Sequence, residues 1–202
     1  MAEPVYDLTI TNGTLATHET SETVNIGITD GRFAALGDVG ADQGREHIDA
    51  TGLTILPGVI DTQVHFREPG IEHKEDLQSG SLAAVMGGVT GVFEMPNTKP
   101  PTTTAEAIED KVARATNRMH CDFAFYVGGT HENAEQLPEL EKMTGVCGVK
   151  VFMGSSTGNL LVPDDDGVAD ILKFIRRRAA FHSEDEFRLR ERRALAETGK
   201  VE

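Results

Sequence analysis

Hydrophobic and polar positions change rhythm once along this chain. Over the first fifty-odd residues they alternate, in YDLTITNGTL, TVNIGITDGRFAALG and HIDATGLTILPG. A period of two sends successive side chains to opposite faces of an extended strand. Asn12-Gly13 and Asp30-Gly31 each sit between alternating apolar runs. Both residues of such a pair tolerate positive φ, so each pair predicts a tight hairpin. The expectation for residues 1–54 is a small antiparallel sheet.

From Ile55 onward short apolar runs are separated by segments with helical spacing. TILPGVIDTQVHF leads to HKEDLQSGSLAAVMGG, VTGVFEMPN to TTTAEAIEDKVARATNR, and CDFAFYVGG to ENAEQLPELEKMT. VCGVKVFMG then leads to DDDGVADILKFIRRR, and AAFHSED to EFRLRERRALAETG. Strand followed by helix, five times over, predicts βα units and a mainly parallel sheet. The fold class is therefore α/β, with residues 55–202 read as the first five units of a TIM-type (β/α) barrel. Caps support the helices: Thr104 precedes Glu106, and Asp164 to Asp166 precede the periodic Val168, Ile171, Leu172 and Ile175. Acids at the start and Arg176 to Arg178 at the end suit the helix dipole, which explains both charge runs structurally.

Charge narrows the partners. Lys plus Arg total 19 against 33 Asp plus Glu, a net charge of −14. That balance disfavours nucleic acid and anionic membrane surfaces, and a small-molecule substrate fits better. Cys121 and Cys147 lie in strand-like runs as buried thiols. With no basic-then-apolar leader and no apolar run of membrane length, a soluble, reduced, cytoplasmic protein is expected.

Active sites of (β/α) barrels lie where strands end. The polar residues there are Asp61, Gln63, His65 and Arg67 after the first strand, and Asn97 after the second. The fourth strand gives Lys150, with Ser155, Ser156 and Thr157 nearby, and the fifth gives His182, Glu184 and Asp185. Lys150 interrupts the otherwise apolar GVCGVKVFMG, where an unpaired ammonium is costly. Burial depresses a lysine pKa, and a neutral amine can add carbon dioxide to become an anionic carbamate ligand. His18, His47, His73, His120 and His131 read as surface residues, although His73 lies in the loop from the site to the first helix. The GSSTG stretch, residues 154–158, lacks the lysine and spacing of a phosphate loop.

Together DTQVHFREPG, FEMPNT, GVKVFMGSSTGNLLV and FHSEDE resemble the dihydroorotase branch of the amidohydrolase superfamily, over residues of about 55–195. The preceding segment resembles the N-terminal part of that family's small β-sandwich. The resemblance implies His65 and His182 as metal ligands and Lys150 as a carboxylated lysine bridging divalent ions such as zinc. Arg67 and Asn97 match residues that hold a substrate carboxylate, a role suited to a guanidinium and an amide. The implied reaction is reversible opening of dihydroorotate to N-carbamoyl-aspartate in pyrimidine biosynthesis. A homo-oligomer is expected, with aspartate carbamoyltransferase as a candidate partner.

Two departures stand out. The family shows His-x-His, whereas here Gln63 precedes His65 by two, and an amide oxygen is a poorer zinc ligand. Gln63 is thus a variant ligand or none, and Asp61 a residue orienting a ligand from behind. A complete barrel needs eight units and roughly 250 residues, so the sequence reads as an N-terminal portion or a truncated form. The family's general-base aspartate is expected beyond its end, and low activity is expected of the chain alone. The alternatives are a hydantoinase or allantoinase, against which Arg67 and Asn97 argue, and a non-catalytic scaffold, which Gln63 favours and Lys150 opposes.

Overall fold

The computed structural model of the chain describes residues 3–154 and 158–199. Ser155, Ser156 and Thr157 lie outside the described residues. The chain divides into two units, Met1–Gly58 and Val59–Glu202.

The first unit forms one sheet from β1 (Tyr6–Ala16), β2 (Ser21–Thr29), β3 (Arg32–Gly37), β4 (Gly44–Asp49) and β5 (Thr54–Ile55). Strands β1, β2 and β3 run antiparallel, and Asp30-Gly31 makes the β2–β3 turn with φ of 51° and 68°. Two expectations are corrected here. Asn12-Gly13 is not a hairpin turn: it lies inside β1, where the register with β2 shifts between Ile10 and Gly13 and Asn12 takes φ 64°. The left-handed residue absorbs one extra position as a β-bulge, and the β1–β2 connection falls instead at residues 17–20. Nor is the sheet wholly antiparallel, because β4 and β5 both pair parallel to β1. They follow one another along a single edge of β1, before and after the bulge. Gly13 permits that approach, since a Cβ there would lie 2.4 Å from Ile55 Cδ1.

The second unit holds a five-stranded sheet of β6 (Val59–Val64), β7 (Val89–Glu94), β8 (Asp122–Gly128), β9 (Val146–Phe152) and β10 (Ala179–His182). Every pairing is parallel and the spatial order equals the chain order. Helices α1 (Leu77–Met86), α2 (Ala105–Ala115), α3 (Leu137–Leu140), α4 (Asp165–Phe174) and α5 (Glu186–Glu197) complete the five expected βα units. Thr104 Oγ1 accepts from Ala107 N–H at 3.3 Å and Asp164 Oδ1 from Gly167 N–H at 2.7 Å, so both expected caps form. The third helix is shorter than its sequence suggests. A 3-10 turn at Ala134–Gln136 precedes the single turn of α3, Leu137–Leu140, which carries Pro138 in its first turn, where a missing N–H is tolerated.

Ile108, Val127, Leu137, Val149, Val151 and Ile171 form one buried cluster between sheet and helices; Phe66, Leu77, Val92, Ala115 and Phe125 form another. Since Val149 and Val151 face the helices, Lys150 and Phe152 face the opposite side of the sheet. Among the described residues no helix is long and apolar enough to cross a membrane.

Candidate active site

His65, Asn97, Lys150 and His182 lie at or near the ends of strands of the parallel sheet. His65 comes immediately after β6, Asn97 three residues after β7, Lys150 within the last turn of pleat in β9, and His182 at the end of β10. They form two groups.

In the first group His65 Nδ1 lies 2.8 Å from Asn97 Oδ1. An amide oxygen only accepts, so Nδ1 carries the proton and Nε2 keeps its lone pair. Burial lowers the His65 pKa. The Asn97 bond opposes that shift, and the charges of Arg67, Lys150 and Lys111 add to it. Burial thus favours the neutral imidazole over its charged form. Asn97 thus orients His65, while its amide nitrogen remains a donor. Arg67 is half-buried and adopts φ 66°, which turns the chain sharply just after the strand.

In the second group Lys150 is 2% exposed and makes no hydrogen bond or ion pair among the described residues; its ammonium sits 5.0 Å from the Phe152 ring centroid. Burial lowers its pKa. Phe152 also meets His182, whose ring stacks on it at 5.9 Å between centroids and 29° between planes. His182 Nε2 lies 2.5 Å from Glu184 Oε2. Beside Glu184 opens a cleft of about 480 Å³ lined by Met153, Pro163, Asp164, Asp165, Ser183, Asp185 and Phe187.

Asp61 and Gln63 join neither group directly: both are exposed, and Asp61 Oδ1 accepts from the Gln63 N–H at 3.0 Å. Among the described residues no three His, Cys, Asp or Glu side chains gather as a metal site.

Two of the buried acids that the sequence reading did not single out are Glu94 and Glu68. Glu94, 1% exposed at the end of β7, pairs with Lys111 of α2, which is fully buried and also donates to Met95 O at 3.0 Å. Burial raises Glu94 to about 7 against the pull of Lys111, and burial lowers Lys111. The signal was present in α2, where Lys111 shares the buried stripe with Ile108 and Ala115. Glu68 is 4% exposed and accepts from Arg118 at 2.8 and 3.0 Å and from Leu77 N–H at 3.0 Å. It ties the segment carrying Arg67 to α1 and to the end of α2.

Burial works to raise the Glu68 carboxyl, but the bonds from Arg118 and Leu77 hold it below its ordinary 4.5. A depressed carboxyl stabilises the fold above the unfolded value and loses that contribution as pH falls through the folded one. Glu68→Gln should therefore cost about 2 kcal/mol at neutral pH and lose less stability than the parent below pH 4.5. Urea melts across that range read both effects.

Five sequential parallel strands, each followed by a helix, give the architecture of a (β/α) half-barrel. The comparisons give the family. A family model described as Dihydro-orotase-like matches residues 52–153. An allantoinase of Rubrobacter xylanophilus is 40% identical over 167 residues, 82% of this chain and 36% of that protein. A dihydroorotase of Methanosarcina mazei is 36% identical over 184 residues, 89% of this chain and 40% of that protein. The L-hydantoinase (dihydropyrimidinase) from Arthrobacter aurescens superposes with a TM-score of 0.86 at 28% identity, covering 97% of this chain and 45% of that one. The chain belongs to the dihydroorotase-like family of cyclic amidohydrolases. It spans well under half the length of these relatives.

Proposed function

We propose that this chain carries part of the active site of a metal-dependent cyclic amidohydrolase acting on dihydroorotate. Lys150 carries the reading: it is 2% exposed with no anionic partner among the described residues, and an uncompensated buried lysine destabilises a fold, a cost that a chemical role explains. In this reading His65 through Nε2, His182 and carboxylated Lys150 hold a divalent cation such as zinc. When bound, that cation supplies a Lewis acid for the ring carbonyl and lowers the pKa of water. Arg67 pairs with the substrate carboxylate, and Asn97 fixes the His65 tautomer while offering its amide N–H groups to the substrate.

The relatives divide between dihydroorotases and allantoinases, and Arg67 separates the two readings. A guanidinium is matched to a carboxylate, which dihydroorotate bears and allantoin lacks. Calorimetric titration of the zinc-treated chain with each compound tests this. Dihydroorotate should bind more tightly, and Arg67→Gln should weaken it by about tenfold or more while leaving allantoin unchanged. Preferential binding of allantoin would favour the allantoinase reading.

A further inference from the structure

We infer that α2 sets the spacing between Arg67 and Asn97. Cations of this helix and of the turn after it hold one buried carboxylate in each of the two chain segments that carry those residues, which makes Lys111 and Arg118 positioning residues for a carboxylate-binding pair. The inference rests on the reading of Arg67 and Asn97 given above for its purpose, not for its geometry. Glu68 follows Arg67 directly, and Glu94 stands three residues before Asn97. Lys111 pairs with Glu94. One helical turn on, Arg114 Nη1 lies 3.6 Å from Glu68 Oε1, and Arg118, just past α2, holds both oxygens of Glu68 at 2.8 and 3.0 Å. A helix has fixed geometry, so two acids held by it are held relative to each other.

Stability alone does not require this arrangement. Apolar residues of similar volume can replace a buried ion pair at little cost, but only a directional donor reaches a chosen carbonyl. Lys111 donates a second N–H to Met95 O at 3.0 Å. Met95 N–H in turn donates to Val64 O at 3.0 Å, so the root of the Asn97 turn is fixed through both of its backbone polar groups. From that root the chain closes on itself: Pro96 O accepts from Thr98 and Thr102 N–H, each at 2.9 Å, with Asn97 inside the loop. Lys99 N–H reaches across to Pro69 O at 2.9 Å, two residues after Arg67. Gly70, at φ 87°, permits that approach, since a Cβ there would stand 2.1 Å from Lys99 O. The Arg67 and Asn97 segments therefore touch directly and share α2 as their support.

The test is amide hydrogen exchange by NMR on the metal-free 202-residue chain and on Glu94→Leu with Lys111→Met, which removes the ion pair from both sides. Thr98 and Thr102 N–H should exchange about fivefold faster than in the parent, the effect of one lost hydrogen bond. The Asn97 side-chain amide signal, identified by its loss in Asn97→Asp, should move. Val149 N–H, bonded to Arg178 O at the far end of the sheet, should be unchanged. Arg118→Gln, at a half-buried position, gives the same test at the other acid: there Ile71 and Lys99 N–H should be the ones to exchange faster. In calorimetric titration of the zinc-treated proteins, dihydroorotate should bind both variants about tenfold more weakly. Parental exchange at Thr98 and Thr102 in the double variant, or at Ile71 and Lys99 in Arg118→Gln, would overturn the inference. So would equal acceleration at every amide, which marks lost stability alone. Absence of dihydroorotate binding by the parent would overturn the functional reading only, since exchange is read without metal or ligand.

Discussion

Lys111→Met should destabilise the second unit by about 3–5 kcal/mol, because it leaves the Glu94 carboxylate buried without its cation. For a unit of this size that is a fall of roughly 10 °C in melting temperature. The loss should depend on pH with a definite sign. Glu94 already stands raised, to about 7 against an ordinary 4.5, and removing Lys111 removes the influence that lowers it. An acid raised in the folded state binds its proton there after the unfolded chain has released it, so stability falls as pH climbs from the unfolded value to the folded one. The variant should thus resemble the parent most in mild acid and differ most above neutrality. Replacing both partners, as in Glu94→Leu with Lys111→Met, should recover most of the loss. Urea denaturation of the four proteins at two pH values gives the coupling directly.

Lys150→Met should have the opposite effect on stability and a larger one on function. Methionine fills similar volume and brings no charge into a site that is 2% exposed. The variant should gain about 1–2 kcal/mol while losing zinc binding altogether. The parent should also gain stability relative to this variant as pH rises toward 10.5, because burial makes folded Lys150 release its proton before the unfolded chain does. A substitution that improves the fold and removes the function marks a residue kept for chemistry.

The architecture was legible because βα alternation leaves a strong pattern. Buried parallel strands read as apolar runs, and Lys150 is conspicuous only against such a run. The Asp30-Gly31 turn and the caps at Thr104 and Asp164 follow from local chemistry, and all three form. Asn12-Gly13 was misleading for a physical reason: a hairpin turn and a bulge both need a residue at positive φ, and only the pairing register tells them apart. Strand direction in β4 and β5 leaves no trace in alternation, because a parallel and an antiparallel neighbour bury the same face. The buried acids were hidden by distance along the chain. Glu94 and Lys111 are 17 residues apart and Glu68 and Arg118 are 50 apart, so neither pair has a local signature. The sequence marked His65, Asn97 and His182 as candidates, but not that Asn97 would bond to His65 or Glu184 to His182.

The most direct test of the account is zinc titration by calorimetry of the 202-residue chain and of Lys150→Met, each with and without bicarbonate. The account predicts saturable binding by the parent that strengthens with bicarbonate and is absent from Lys150→Met. Equal binding by both proteins, or none by the parent in bicarbonate, would contradict it.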